Sequence, residues 1–275
     1  MGAFQDKIVY CVGGSSGIGL AAAKGLARLG AHVAVFARDE KRLAKALGDI
    51  SACRKNESQR LLSVSMDVSC RQAVKDAMQR TVAGFGVPDI LINCAGRAYP
   101  GRFEDIAIDQ FEETIQVNLM GSIYTTVALT PFMKEKGGII VNTSSVAGLV
   151  GVFGFTDYCA SKFGIIGFSE ALRSELKSCG IKVQVLCPPD TDTPGYAVEN
   201  MTKPEETKQI SKTVRVLTAE QVASALISGM QTNRFLIVPG LEARISCTAK
   251  RFVPSLVEWV MDRQIASVRK KRGRQ

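Results

Sequence analysis

The sequence predicts a single α/β domain: a doubly wound, seven-stranded parallel sheet flanked by helices. Three observations carry that prediction. Short β-branched runs alternate with longer stretches of helical periodicity, the pattern of parallel strands joined by right-handed helical crossovers. The runs are apolar at successive positions, as strands covered by helices on both faces must be. A glycine-rich turn separates the first run from the first helical stretch, at an edge where such sheets hold ligands.

In order, the strand-like runs are residues 7–12, 32–37, 61–66, 89–94, 138–143, 182–187 and 235–238. The helical stretches are 17–29, 40–55, 71–85, 109–134, 157–178 and 218–232. No repeat, low-complexity tract or linker interrupts the first 240 residues. A composition of 46% hydrophobic and 22% charged residues is that of a folded globular chain, not a disordered one.

The N-terminus lacks the basic-then-apolar pattern of a secretory signal, and the uncharged stretches 114–133 and 137–156 carry too many Gly, Ser, Thr and Asn for a membrane span. None of the eight cysteines forms a CxxC pair, so no metal site is expected and a reducing, cytoplasmic compartment fits. His32, the only histidine, has no Cys or carboxylate near it in sequence and reads as structural.

After the first strand comes Gly13-Gly14-Ser15-Ser16-Gly17-Ile18-Gly19 and then a helix. Glycines allow a tight turn and close approach of the backbone to a pyrophosphate, which the helix N-terminus then attracts. This is a Rossmann-type phosphate cradle, with an ordinary glycine-rich turn as the alternative. The second strand ends in Ala37, and Arg38 and Arg42 follow where an NAD site would place a carboxylate. Two guanidinium groups suit a 2′-phosphate, so NADP(H) is the expected cofactor. Asp39 is the competing feature, and solvated helix-start charges are the plainer alternative.

Tyr158 and Lys162 are four apart at the start of a helical stretch, so phenol and ammonium share one face. A neighbouring cation would favour the phenolate and tune Tyr158 for proton transfer. Ser145 stands 13 residues upstream at a strand end, where its hydroxyl can meet a substrate carbonyl.

Together these motifs resemble the short-chain dehydrogenase/reductase family over about residues 5–240. The family's glycine motif matches Gly13–Gly19, and its adenine-contacting Asp–Val pair matches Asp67-Val68. Its Asn-Asn-Ala-Gly motif appears as Asn93-Cys94-Ala95-Gly96, with Cys94 in place of the second Asn. Its helix Asn matches Asn118, and its catalytic Ser matches Ser145, with Ser144 as the adjacent alternative. The resemblance implies that Tyr158 protonates a ketone oxygen oriented by Ser145. Lys162 would bind the nicotinamide ribose and lower the Tyr158 pKa, and Asn118 would hold a relay water.

The run Pro188-Pro189-Asp190-Thr191-Asp192-Thr193-Pro194-Gly195 and the segments Asn200–Pro204 and Gly151–Thr156 look like the family's 3-ketodihydrosphingosine reductases. That likeness implies NADPH-dependent reduction of a long-chain sphingoid ketone. It also implies that Pro188, Thr191 and Thr193 lie near the nicotinamide and that 188–213 form a lid. Four prolines in 188–204 suggest a stiffened loop. Alternatives are another lipid-like ketone (3-oxoacyl or steroid) or a non-catalytic NADP-binding scaffold.

The formal net charge is +9, and residues 241–275 hold nine of the Lys and Arg but only three acids. The body, 1–240, is therefore nearly balanced, and nucleic acid is not an expected partner. The tail combines apolar positions at helical spacing, Trp259 among them, with a basic end, the pattern of a helix that lies on an anionic membrane. Packing of that helix on the body is the alternative. The family resemblance also implies a homo-oligomer, a dimer or tetramer, formed through the helices 109–134 and 157–178.

Overall fold

The computed structural model describes residues 2–212 and 214–272. In chain order the elements begin β1 (Ile8–Val12), α1 (Gly17–Arg28), β2 (His32–Ala37), α2 (Glu40–Ser51), β3 (Leu61–Ser65), α3 (Arg71–Phe85) and β4 (Ile90–Asn93). They continue with α4 (Ile108–Ile115), α5 (Gly121–Lys136), β5 (Gly138–Thr143), α6 (Thr156–Leu176), β6 (Ile181–Leu186), β7 (Thr191–Asp192), α7 (Pro194–Thr202) and α8 (Glu205–Ser211). Last come β8 (Leu217–Thr218), α9 (Ala219–Met230), β9 (Leu236–Ile237), α10 (Leu241–Phe252) and α11 (Pro254–Arg272).

Seven strands form one sheet in the order β3-β2-β1-β4-β5-β6-β9, all parallel, as the sequence predicts. Alternation along β1 divides the core. Val9 and Cys11 face α1 and α9, where Ala22, Leu26, Val222 and Leu226 pack. Tyr10 and Val12 face α3 and α5, where Val74, Met78, Leu129 and Met133 pack. The period-2 side-chain direction of a strand thus feeds two apolar layers.

The order reverses between β1 and β4, so the loops leaving these two strands bound a crevice. They also touch. A Cβ on Gly13 (φ +82°) would stand 2.5 Å from the Ala95 amide nitrogen, so only glycine fits there.

Two segments differ from expectation. The predicted helix 109–134 is α4 and α5 joined through a wide π turn, Gln116–Met120, that contains Asn118. Extra residues in such a turn shift the backbone register and are common at functional sites. The loop expected over 188–213 is largely helical: Thr193 caps α7 by accepting from the Tyr196 amide, with Pro194 in the first turn, and Pro204 precedes α8. Proline suits a helix start because its missing N–H would be unpaired there. Two of the four prolines read as loop stiffeners, Pro194 and Pro204, thus start helices. Thr213, the end of that lid, lies outside the described residues, as does Arg274.

Candidate active site

A cleft of about 760 Å³ runs along the carboxyl ends of the strands, within the size range of small-molecule sites. At one end lies the glycine turn. A Cβ on Gly19 would stand 2.3 Å from the Gly13 carbonyl oxygen, and Gly17 has φ +54°. No acidic residue occupies the first turn of α1, and the Ser16 side chain does not cap it. The helix N-terminus therefore offers its N–H groups to an anion, and the residues present fit a dinucleotide pyrophosphate.

Arg38 and Arg42 line the same end of the cleft. The Asp39 carboxylate caps α2, accepting from the Arg42 amide at 2.9 Å, and its other oxygen lies 3.5 Å from Arg42 Nε. Its charge is thus committed to the helix start. Asp67 is not among the residues lining the cleft; it accepts from Ser69 and sits 4.0 Å from Arg38 Nη1, while its neighbour Val68 lines the cleft.

Asn93 does not reach the cleft, contrary to its assignment as a cofactor contact. It is buried, donates to Asn142 Oδ1 at 2.8 Å and accepts from Thr125 at 2.8 Å. Asn142 in turn donates to Ser169. This buried ladder joins α5, β4, β5 and α6, while the chain beyond it, Cys94 to Gly96, forms the cleft wall.

At the centre of the cleft stand Ser145, Tyr158 and Lys162. Asp157 fixes the start of α6: it accepts from Thr114 at 2.7 Å and from the Tyr158 amide at 2.7 Å. Tyr158 and Lys162 then lie one helical turn apart, with Lys162 Nζ 5.5 Å from the Tyr158 ring centroid. Lys162 Nζ donates to the Thr143 carbonyl at 2.9 Å. Asn118 is locked by a two-way bond with the Arg97 main chain and donates to Ser161. Its Oδ1 and Lys162 Nζ would lie 3.3 Å and 3.5 Å from a Cβ on Gly96, so both flank that glycine.

Burial pushes the Tyr158 phenol well above its ordinary value; the Glu199 carboxylate adds to this and a hydrogen bond with Ser145 opposes it. Burial also lowers Lys162 to about 8. Contrary to the expected lowering, the Tyr158 pKa is raised, because desolvation of the phenolate is the largest effect. A phenol that stays protonated at neutral pH can act as an acid toward a ketone.

Pro188, Thr191 and Thr193 border the cleft opposite the glycine turn, with Thr193 Cγ2 3.1 Å from a Cβ placed on Gly17. Sequence reasoning missed two groups. Asp190 and Glu199 also line this side, and the buried Lys203 pairs with both. The i,i+4 spacing of Glu199 and Lys203 after a Thr-Pro helix start was the available signal. The far end of the cleft is walled by Ile245, Ala249, Leu256, Val257, Val260 and Met261 of α10 and α11. The C-terminal helix packs on α8. No helix among the described residues is long and apolar enough to cross a membrane.

Fold and site together define an oxidoreductase. The family model for short chain dehydrogenases matches residues 7–205, and the chain belongs to that family. It is 42% identical over 229 residues to a 3-dehydrosphinganine reductase of Danio rerio, covering 82% of this chain and 69% of that one. It is 41% identical over 229 residues to a 3-ketodihydrosphingosine reductase of Bos taurus, with the same coverage of 82% and 69%. Among solved structures, a short chain dehydrogenase/reductase of Burkholderia phymatum in complex with NAD superposes with a TM-score of 0.81. It is 24% identical, with 93% of this chain and 96% of that one covered, a likeness of fold.

Proposed function

We propose that the chain reduces the 3-keto group of a long-chain sphingoid base, with NADPH as cofactor. One observation carries this reading: Ser145 and Tyr158 meet in a cleft that continues from the glycine turn to an apolar end under α10 and α11. A ketone beside Tyr158 can thus extend its alkyl chain away from the cofactor end. The relatives named above support the substrate class. Arg38 and Arg42 favour a 2′-phosphate over a bare ribose.

Bound NADPH would supply the hydride. Tyr158 donates its hydroxyl proton to the ketone oxygen, which Ser145 holds by a second hydrogen bond. Lys162 binds the nicotinamide ribose and, with Asn118 and a water across Gly96, returns a proton to Tyr158. Gly13 to Gly19, with Ser15, Ser16 and Ile18, cradle the pyrophosphate. Ala95 and Gly96 would back the nicotinamide side, Pro188, Thr191 and Thr193 would cover it, and Asp67 and Val68 would hold the adenine.

We assign residues 1–240 to the reductase body, with 188–213 as its cover, and 241–275 to a basic extension, of which α10 and α11 wall the alkyl end of the cleft. We further infer a peripheral membrane contact through that extension and a homo-oligomer through α4, α5 and α6, whose Ile108, Val127 and Phe163 are exposed.

The test is NADPH oxidation with 3-ketosphinganine. Tyr158→Phe should lose about 1000-fold or more in turnover, the scale of a positioned proton donor, while still binding NADPH. Substantial turnover by that variant overturns the proton-donor role, and no turnover by the wild-type protein overturns the substrate.

A further inference from the structure

We infer that Glu199, with Asp190 beside it, recognises a protonated amine on the carbon next to the reacting ketone. This inference rests on the sphingoid reading above and deepens it, since such a ketone carries an amine at that position.

The geometry begins with Lys203. Its side chain is 1% exposed, and its ammonium lies 2.7 Å from Glu199 Oε1 and 3.3 Å from Asp190 Oδ2. It sits over the Tyr196 ring at 4.7 Å and near the Phe155 ring at 5.8 Å. Phe155 in turn packs against Tyr158, with ring centroids 5.5 Å apart. Asp190 and Glu199 line the cleft, whereas Lys203 does not. One buried cation therefore anchors two carboxylates from behind, and the face they present toward Tyr158 carries an excess negative charge.

Other cations near this face are already engaged. Arg97 pairs with Glu113 and stacks on Tyr99, and Lys162 donates to the Thr143 carbonyl. Burial raises the Glu199 pKa despite Lys203, so one ammonium does not fully offset the desolvation of this carboxylate. A second ammonium at the cleft face would. An α-amino ketone places its cation on the carbon adjacent to the carbonyl whose oxygen Tyr158 protonates, so one substrate can engage both groups. An amine-free ketone could not.

The experiment compares 3-ketosphinganine with 1-hydroxyoctadecan-3-one, the same ketone without the amine. The wild-type protein should favour the amine-bearing ketone in kcat/KM, and Glu199→Gln should reduce that preference about 10- to 100-fold, as expected for a lost hydrogen bond to a charged group. The loss should fall on the KM of the amine-bearing ketone. Asp190→Asn should shift the same ratio in the same direction by a smaller factor, which covers the case where Glu199→Gln does not fold. If the variants slow both ketones equally, Glu199 acts through Tyr158 or the fold, and the amine site is overturned while the reductase reading stands. A wild-type protein that reduces both ketones with equal efficiency overturns the amine site in the same way. If it reduces neither ketone, both readings fall together.

Discussion

The hydroxyl of Ser144 donates to the main-chain carbonyl of Lys162 at 2.7 Å, and this bond distinguishes two adjacent serines. Ser144 is buried, and its hydroxyl proton is committed to this bond although the residue borders the cleft. Ser145 accepts from the Ala147 amide at 3.1 Å, donates to the Pro188 carbonyl at 3.4 Å and lines the cleft with Tyr158. Ser145→Ala should therefore reduce kcat by about 100-fold or more, the scale of a lost oxyanion donor. Ser144→Ala should act on stability, costing about 1 kcal/mol for one buried hydrogen bond. Steady-state rates paired with urea unfolding separate the two; a catalytic loss confined to Ser144→Ala would reverse the assignment.

Lys162 makes a prediction about stability. Its pKa in the folded protein is about 8, below its ordinary value of 10.5. The unfolded chain therefore binds more protons between those values. The burial cost is fully present below pH 8 and is relieved as the pH rises through the window. At about 1.4 kcal/mol for each pH unit between the two values, the cost is about 3 kcal/mol, less about 1 kcal/mol for the bond to Thr143 that Lys162→Met would forfeit. Lys162→Met should be the more stable protein at pH 7, though inactive, and its advantage should shrink by pH 10. Taking the difference between variant and wild type removes the opposing effect of groups that do not interact with Lys162, such as Tyr10, whose pKa is raised by burial. An advantage that does not change with pH would contradict the buried ammonium.

The proposed preference for NADPH makes a prediction about Arg38 and Arg42. Both are more than half exposed, and the neighbouring carboxylate, Asp39, is held by the start of α2. Replacing both with Ala should lower kcat/KM for NADPH by about 100-fold, with each charge-assisted contact to a phosphate contributing about 1.5 kcal/mol or more. The value for NADH should change little. A wild-type preference for NADH, or equal losses with both cofactors, would reject the 2′-phosphate site.

The parts legible in the sequence were those set by local patterning. Strands such as His32–Ala37 and Gly138–Thr143 match their predicted bounds because β-branched, apolar runs between turns leave few alternatives. The Tyr158–Lys162 spacing was legible for the same reason. Asn93 was not: whether a strand-end residue faces a cleft or a neighbouring strand depends on register against β5, which puts it opposite Asn142. Nor was the helical cover, because proline signals a break until a capping Thr193 shows that it starts a helix. The wall formed by α10 and α11 rests on the tertiary contact of α11 with α8, for which no local pattern codes.

That wall also determines how the extension can meet a bilayer. Val257 and Met261 face the cleft, so the remaining surface of the helix pair carries Phe252, Val253 and Trp259, exposed by 75%, 46% and 50%. The Arg263 guanidinium sits 4.0 Å above the Trp259 ring, an aromatic–cation pair suited to an anionic headgroup layer. Apolar burial and basic attraction should add, at about 1.5–3 kcal/mol per large side chain and about 1 kcal/mol per Lys or Arg near the surface. The full chain should therefore sediment with vesicles containing phosphatidylserine and much less with phosphatidylcholine alone. Phe252→Glu with Trp259→Glu should lower the bound fraction at least tenfold, since each change removes an apolar anchor and adds a repelled charge. Equal sedimentation of wild type and variant would mean that the exposed face serves another purpose, and equal binding to both kinds of vesicle would remove the basic residues from the account.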